Sequence, residues 1–181
     1  MTEVFFQELK DELLKSLRQK KHPFRHFTLA TSGLESIPKL RTVVLRKVME
    51  DLTLLFFTDI RSEKIEHLKE NNRVSILFYH PKKMLQLKVE GVATIVLDAT
   101  KLKNTWNAIP LKSRKDYITE HAPGSPINNP YNVTYLKNEN FFCMVEIVPL
   151  KIEYLKLRRP NHLRIQYSKT DSDWQGQFLV P

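Results

Sequence analysis

The stretch Leu54-Leu55-Phe56-Phe57-Thr58-Asp59-Ile60-Arg61-Ser62-Glu63-Lys64 ends an apolar run in a hydroxyl, crosses a short polar turn, and opens a helical pattern with a serine and a lysine. Such a strand-to-helix corner is a natural anion site. Free backbone N–H groups, the positive end of the helix dipole, a hydroxyl and an ammonium converge there. Thr58, Ser62 and Lys64 would hold a phosphate, although a helix capped by Ser62 beside a solvated lysine accounts for them equally well. Arg41-Thr42-Val43-Val44-Leu45-Arg46 sets two guanidiniums on one strand. Arginine's planar fork suits bidentate phosphate binding, and an exposed strand backbone can hydrogen-bond the edge of a heterocycle. Parity restricts this idea: five residues apart on a flat strand, Arg41 and Arg46 point to opposite faces. Taken alone, two solvated arginines are the simpler reading. Gln86, in a strand that also carries Gly91, must satisfy its amide either on solvent or on a ligand's carbonyl and ring N–H.

The elements that would position these residues are legible from periodicity. Residues 3–20 place Phe5, Leu9, Leu13 and Leu17 four apart, with Phe6 and Leu14 beside them, which predicts an amphipathic helix ending at His22-Pro23. Short β-type runs follow: Phe24–Thr31, Lys39–Val48 and Leu52–Thr58, the last two joined by a turn at Glu50-Asp51. A short helix is expected over Arg61–Asn71, a fourth strand over Arg73–Tyr79, and a long fifth over Met84–Leu97. Residues 98–135 read as a helical and loop insertion broken at Pro110, with HAPGSPINNP (121–130) a loop long enough to suggest a function or a partner contact. Phe141–Val148, Ile152–Leu157, Leu163–Tyr167 and Trp174–Val180 complete the strands. The expectation is a single domain of mainly β class, an antiparallel barrel with peripheral helices.

Composition narrows the function. With 41% hydrophobic residues and four glycines the chain reads as an ordered globular protein. Its single cysteine, Cys143, permits no intrachain disulfide, and no run reaches the roughly 18 apolar residues of a membrane span, so a cytoplasmic location is expected. The net charge of +9 invites a nucleic-acid reading. The cations are dispersed, however, with no basic helix, zinc spacing or glycine-and-aromatic signature beside them. The six histidines show no metal-ligand spacing, so no metal is expected.

Taken together, these segments resemble the pyridoxamine 5'-phosphate oxidase family of flavoproteins over most of the chain. Arg41–Arg46 is similar to the family's Arg-x-Val-x-Leu-Lys/Arg strand, Phe57-Thr58 to its aromatic-Thr pair, and Ser62-x-Lys64 to its Ser-Arg-Lys helix start. Asn71-Asn72-Arg73-Val74-Ser75 resembles its Asn-Asn-Pro-Arg-Val-Ser, and Gln86 with Gly91 its Gln-(four residues)-Gly strand. Arg164-x-x-Tyr167, Trp174 and Leu179-Val180-Pro181 resemble its closing pattern. The resemblance implies a Greek-key FMN-binding split barrel, a homodimer with flavin mononucleotide (FMN) at the interface, and Arg164 reaching the flavin from the other subunit. Arg41, Thr42, Val43, Val44, Leu45, Phe57, Thr58, Arg61, Ser62, Lys64, Gln86 and Arg164 would bind the cofactor. Arg46 and His162 would lie on the substrate side, with a small molecule as substrate and neither nucleic acid nor membrane as partner.

Departures from the pattern fall mainly on the substrate half. The family's cation before Lys64 is Glu63, which leaves Arg61 to supply that charge, and its flavin-stacking Trp falls on Leu155. Neither Tyr117, Tyr131 nor Tyr135 opens the family's Tyr-x-x-x-Arg-x-x-x-Ser helix, and its Arg-x-His is Pro160-Asn161-His162. The expectation is therefore an FMN-dependent oxidoreductase moving a hydride between a small substrate and flavin N5. The alternatives are the vitamin oxidase itself and a flavin-binding module without catalysis.

Overall fold

The computed structural model describes residues 1–33, 36–171 and 173–181. After helix α1 (Glu3–Arg18), a short 3-10 turn leads into β1 (His26–Ser32), β2 (Pro38–Val48) and β3 (Leu54–Asp59). Helix α2 (Glu63–Glu70) precedes β4 (Arg73–His80) and β5 (Leu85–Ile95). Helices α3 (Ala99–Ala108) and α4 (Leu111–Arg114) lead to β6 (Phe142–Lys156), β7 (Leu163–Lys169) and β8 (Trp174–Leu179).

The strands run β3-β2-β1-β4-β5-β6-β7-β8, every neighbouring pair antiparallel, and β3 also pairs with β6. That pairing closes six strands into a barrel. Because β4 returns beside β1 and not beside β3, the order 3-2-1-4 is a Greek key. Strict alternation fills the interior: along β4 the inward residues are Val74, Ile76, Phe78 and His80, and along β5 Leu85, Leu87 and Val89. A second, smaller cluster lies outside the barrel wall. There Leu55, Phe142 and Met144 meet Ile109 and Tyr117 from the 98–135 segment.

The two runs expected over 141–157 form one strand, a correction with a simple cause. Pro149 would normally end a strand, but here Leu150 is an extra residue opposite the Glu90/Gly91 step, and a proline is tolerated at such a bulge. Gly91 makes room for it, since a Cβ there would lie 2.5 Å from the Val148 carbonyl oxygen. A second bulge at Arg46 turns Val48 instead of Lys47 into the core. Helix α1 packs across the barrel through Phe6, Leu9 and Leu13, while Leu14 is exposed, so the buried stripe is narrower than the periodicity suggested. Each such buried side chain contributes about 2 kcal/mol.

Candidate functional site

Strand β2 is bonded to β1 along Arg41–Val44, whereas its ladder to β3 begins only at Leu45. Beyond Phe56, β3 leaves β2 and keeps only its pairing with β6, which runs from Leu54 to Asp59. A split therefore opens between the β2 edge at Arg41–Val44 and the β3 end at Phe57–Asp59. The backbone groups on that edge of Thr42, Val43 and Val44 are not used by β3.

The polar end of the split holds the residues singled out at the strand-to-helix corner. Lys64 Nζ donates to Thr58 Oγ1 at 2.9 Å. Thr58 and Ser62 hydroxyls lie 3.2 Å apart, and Ser62 Oγ donates to the Asp59 carbonyl at 2.7 Å. With the Ser62 proton committed there, Thr58 is the donor to Ser62, and the chain of bonds runs one way. This corrects the expected role of Ser62. It occupies the residue before α2 in extended conformation, but its hydroxyl turns back to β3 and caps no helix N–H.

Arg41 approaches from β2. Its Nη1 donates to Thr31 Oγ1 at 2.6 Å and to the Lys39 carbonyl at 2.7 Å, while Nη2 faces the Glu63 carboxylate at 3.9 Å. Burial holds the Lys64 pKa below its ordinary value, and Arg41 pushes it down further. Burial likewise lowers Arg41, with Glu63 pulling the other way. Two desolvated cations that disfavour each other are relieved by an anion placed between them. The donor set thus fits the phosphate of a flavin, and the open β2 edge fits the rim of its ring.

Parity divides the neighbours as expected. Phe57, next to Thr58, points outward, and Arg46 lies over its ring with Cζ 5.3 Å from the centroid. Arg46 also interacts with the Tyr117 hydroxyl, whose pKa burial raises and Arg46 lowers, while the Arg46 Nε is buried without a partner.

Gln86 does not lie on a strand neighbouring Arg41. Two strands separate β2 from β5 whichever way the barrel is traversed. Gln86 instead pairs with Leu155, and Leu155 with Arg164, so the three share one row and one face across β5, β6 and β7. Arg164 donates to Glu153 at 3.0 Å and keeps a buried Nε without a partner. His162 sits just before β7, accepting the Arg158 N–H on Nδ1 at 3.1 Å. Ten residues of β6 lie between Leu155 and Met144, the partner of Phe57, about 35 Å of extended chain. The split and this row thus lie on opposite sides of the barrel of one chain.

Arg61 is engaged elsewhere than the split. Its guanidinium pairs with buried Asp59 at 2.7 Å and donates to the Thr119 and Glu120 carbonyls at 2.8 and 2.9 Å. It also lies 3.2 Å above the Phe141 ring. It fastens the 119–141 segment to the end of β3 and leaves Lys64 and Arg41 as the cations of the split. Cys143 is an inert core thiol, its pKa pushed up to about 11 by burial.

A grouping that spacing did not reveal is Glu12, His22 and His80, all buried, with ligand atoms within 4.8 Å of one another. Both rings accept a backbone N–H on Nδ1, from Phe24 and Lys83, so each neutral imidazole carries its proton on Nε2 and has no second lone pair for a metal. Lys83 Nζ, 2.6 Å from Glu12, supplies the cation. The grouping is a latch between α1 and the β4–β5 hairpin.

Comparison with known proteins agrees with this geometry. Residues 4–97, more than half of the chain, match the model of the pyridoxamine 5'-phosphate oxidase, FMN-binding domain family. The chain belongs to that family. It is 32% identical over 170 residues to pyridoxine/pyridoxamine 5'-phosphate oxidase 2 of Arabidopsis thaliana, covering 84% of this chain and 85% of that protein. It is 36% identical over 173 residues to pyridoxine/pyridoxamine 5'-phosphate oxidase of Crocosphaera subtropica, covering 85% and 78%. Among solved structures, a pyridoxamine 5'-phosphate oxidase-related, FMN binding protein from Nostoc punctiforme superposes with a TM-score of 0.79 at 23% identity, covering 97% of this chain and 96% of that one. PhzG from Burkholderia lata, solved with tetrahydrophenazine-1-carboxylic acid, superposes with a TM-score of 0.80 at 16% identity, covering 97% and 92%. At those identities the two structures speak for the fold alone. No helix among the described residues is long and apolar enough to cross a membrane.

Proposed function

We propose that this chain binds FMN in the split between β2 and β3 and works as an FMN-dependent oxidoreductase on a small substrate. The observation that carries the reading is the pair of desolvated cations, Arg41 and Lys64, facing a strand edge that β3 leaves open. Arg41 and Lys64 hold the phosphate, and the Thr58–Ser62 hydroxyl pair positions the Lys64 ammonium beside it. The backbone of Thr42, Val43, Val44 and Leu45 lines the ring, with Phe57 beside it. When bound, the flavin supplies the hydride chemistry at N5. The protein binds, orients and excludes water. Arg46, with Tyr117, faces the substrate from the outer side of the barrel wall.

The split and the β5–β7 row, read as two half-sites, support a homodimer as the working unit. Gln86 and Arg164 share one row that cannot reach the split of their own chain, so a second copy would bring them, with His162, onto the ligand held by the first. The test is reconstitution of the protein with FMN, followed by Arg41→Ala and Lys64→Ala. Each variant removes a charged partner of the phosphate, so each should weaken FMN by about 10- to 100-fold in a fluorescence titration. Unchanged affinity in both would refute the assignment. The substrate half has lost most of the family's vitamin contacts. An assay for pyridoxal phosphate formation should therefore show little turnover, and brisk turnover would instead make the chain a vitamin oxidase.

A further inference from the structure

Glu63 is the residue of the split that fits a phosphate site least well. It stands at the first position of α2, where an acid is favoured by the helix dipole, and Glu66 one turn on shares that advantage. Of these two acids, Glu63 is the one beside Arg41. Its carboxylate lies 3.9 Å from Arg41 Nη2, 3.9 Å from Lys39 Nζ and 3.8 Å from His67 Nε2. These separations exceed hydrogen-bond length, and the side chain is 58% exposed. The tight pairs elsewhere in the molecule behave differently: Asp59–Arg61 closes to 2.7 Å and Glu12–Lys83 to 2.6 Å, each carboxylate side chain only 1% exposed. Glu63 is thus a loosely held counter-ion.

Its position has a second consequence. Lys39 and Arg41 leave β2 on the side of α2, and His67 is shared with Thr31, whose hydroxyl lies 2.6 Å from Arg41 and 3.1 Å from His67. The carboxylate therefore neutralises part of the charge that a phosphate would otherwise use. Both anions compete for one guanidinium face.

From this arrangement we infer that Glu63 is a built-in competitor for the phosphate end of the split, which the ligand's phosphate must displace. The inference rests on the flavin reading above. It makes the flavin an exchangeable ligand in place of a permanently seated one. Glu63 then sets how strongly the site distinguishes a phosphorylated flavin from an unphosphorylated one.

The experiment titrates apo protein with FMN and with riboflavin, comparing wild type, Glu63→Gln, Glu66→Gln and Arg41→Ala. Removing a carboxylate that repels the phosphate at this range should tighten FMN about tenfold. Riboflavin affinity should stay constant in Glu63→Gln, and neither ligand should respond to Glu66→Gln. Equal FMN affinity in Glu63→Gln and wild type would overturn the inference. So would equal tightening of both flavins, which marks a packing effect, or equal tightening by Glu66→Gln, which marks a helix-dipole effect. The flavin reading is judged separately. If Arg41→Ala loses FMN while Glu63→Gln is neutral, the site stands and only the role of Glu63 falls. If no variant binds FMN, both fall.

Discussion

At the scale of single residues, two cations three positions apart, Arg61 and Lys64, are engaged differently. Arg61 was expected to replace the charge lost at Glu63, yet its forked donors hold Asp59 and the carbonyls of the 119–121 turn. Arg61→Lys keeps the charge but loses the fork, so amide exchange at Thr119–His121 should quicken. Stability should fall by about 1–2 kcal/mol, with FMN affinity unchanged. Unaltered exchange in that turn would show that Arg61 is not its fastener. Lys64, Thr58 and Ser62 were legible in the sequence because strand-to-helix geometry concentrates donors locally, and spacing reports what is local. The engagement of Arg61 was not legible because, beside Asp59, it bonds carbonyls 58 and 59 residues away, and nothing in a spacing pattern marks a carbonyl as the target of a guanidinium.

At the scale of elements, α1 is held by apolar burial and by a buried polar latch. Burial keeps the His22 imidazole below its ordinary pKa of 6.5, although Glu12 pulls it upward. For Glu12, burial raises the pKa, but Lys83 and Lys15 outweigh it, and the net value lies below 4.5. Both signs favour the fold above the unfolded values. The His22 contribution is fully present above pH 6.5 and is lost as pH falls from there through the folded value; the Glu12 contribution is lost below 4.5. The protection of α1 against hydrogen exchange, taken relative to the intrinsic rate at each pH, should therefore fall as pH drops below 6.5, before that of the barrel strands. Simultaneous loss in helix and barrel would show that the latch is not the sensitive part. Most strands could be read from β-branched runs and alternation. The exception was β6, where Pro149 looks like an ending in sequence and is accommodated only because Gly91 on the facing strand has no side chain.

At the scale of the whole molecule, the position of Gln86 and Arg164 decides how the site is assembled. If the working site combines the split of one chain with the β5–β7 row of another, Arg41→Ala and Arg164→Ala damage different halves of it. Mixed and refolded together, the two inactive variants should restore FMN binding to about a quarter of all sites, because half of the dimers are mixed and each of these has one intact site. No recovery would place the whole site within one chain. The antiparallel barrel followed from strand count and periodicity, whereas the opposition of the half-sites did not. Which strands become neighbours is settled by the Greek-key return of β4 beside β1 and by the β3–β6 closure, both long-range choices.

The extra residue at Leu150 has a consequence for how this chain tolerates change in length. Strand β6 flanks Thr58 near its beginning and carries Leu155 beside Arg164 near its end, and the bulge between them sets the phase of one half relative to the other. Removing Leu150 would abolish the bulge and leave a regular ladder in which Pro149, Lys151 and Ile152 keep Gly91, Glu90 and Val89 as partners, so the faces from Ile152 to Lys156 are preserved. Tyr154 would stay in the core opposite Leu87, and Leu155 would stay in its row with Gln86 and Arg164. Loss of one residue is therefore absorbed at Leu150, as it is in the exposed 122–130 turn, whereas the same loss within the regular part of β6 would exchange the inward and outward faces beyond it.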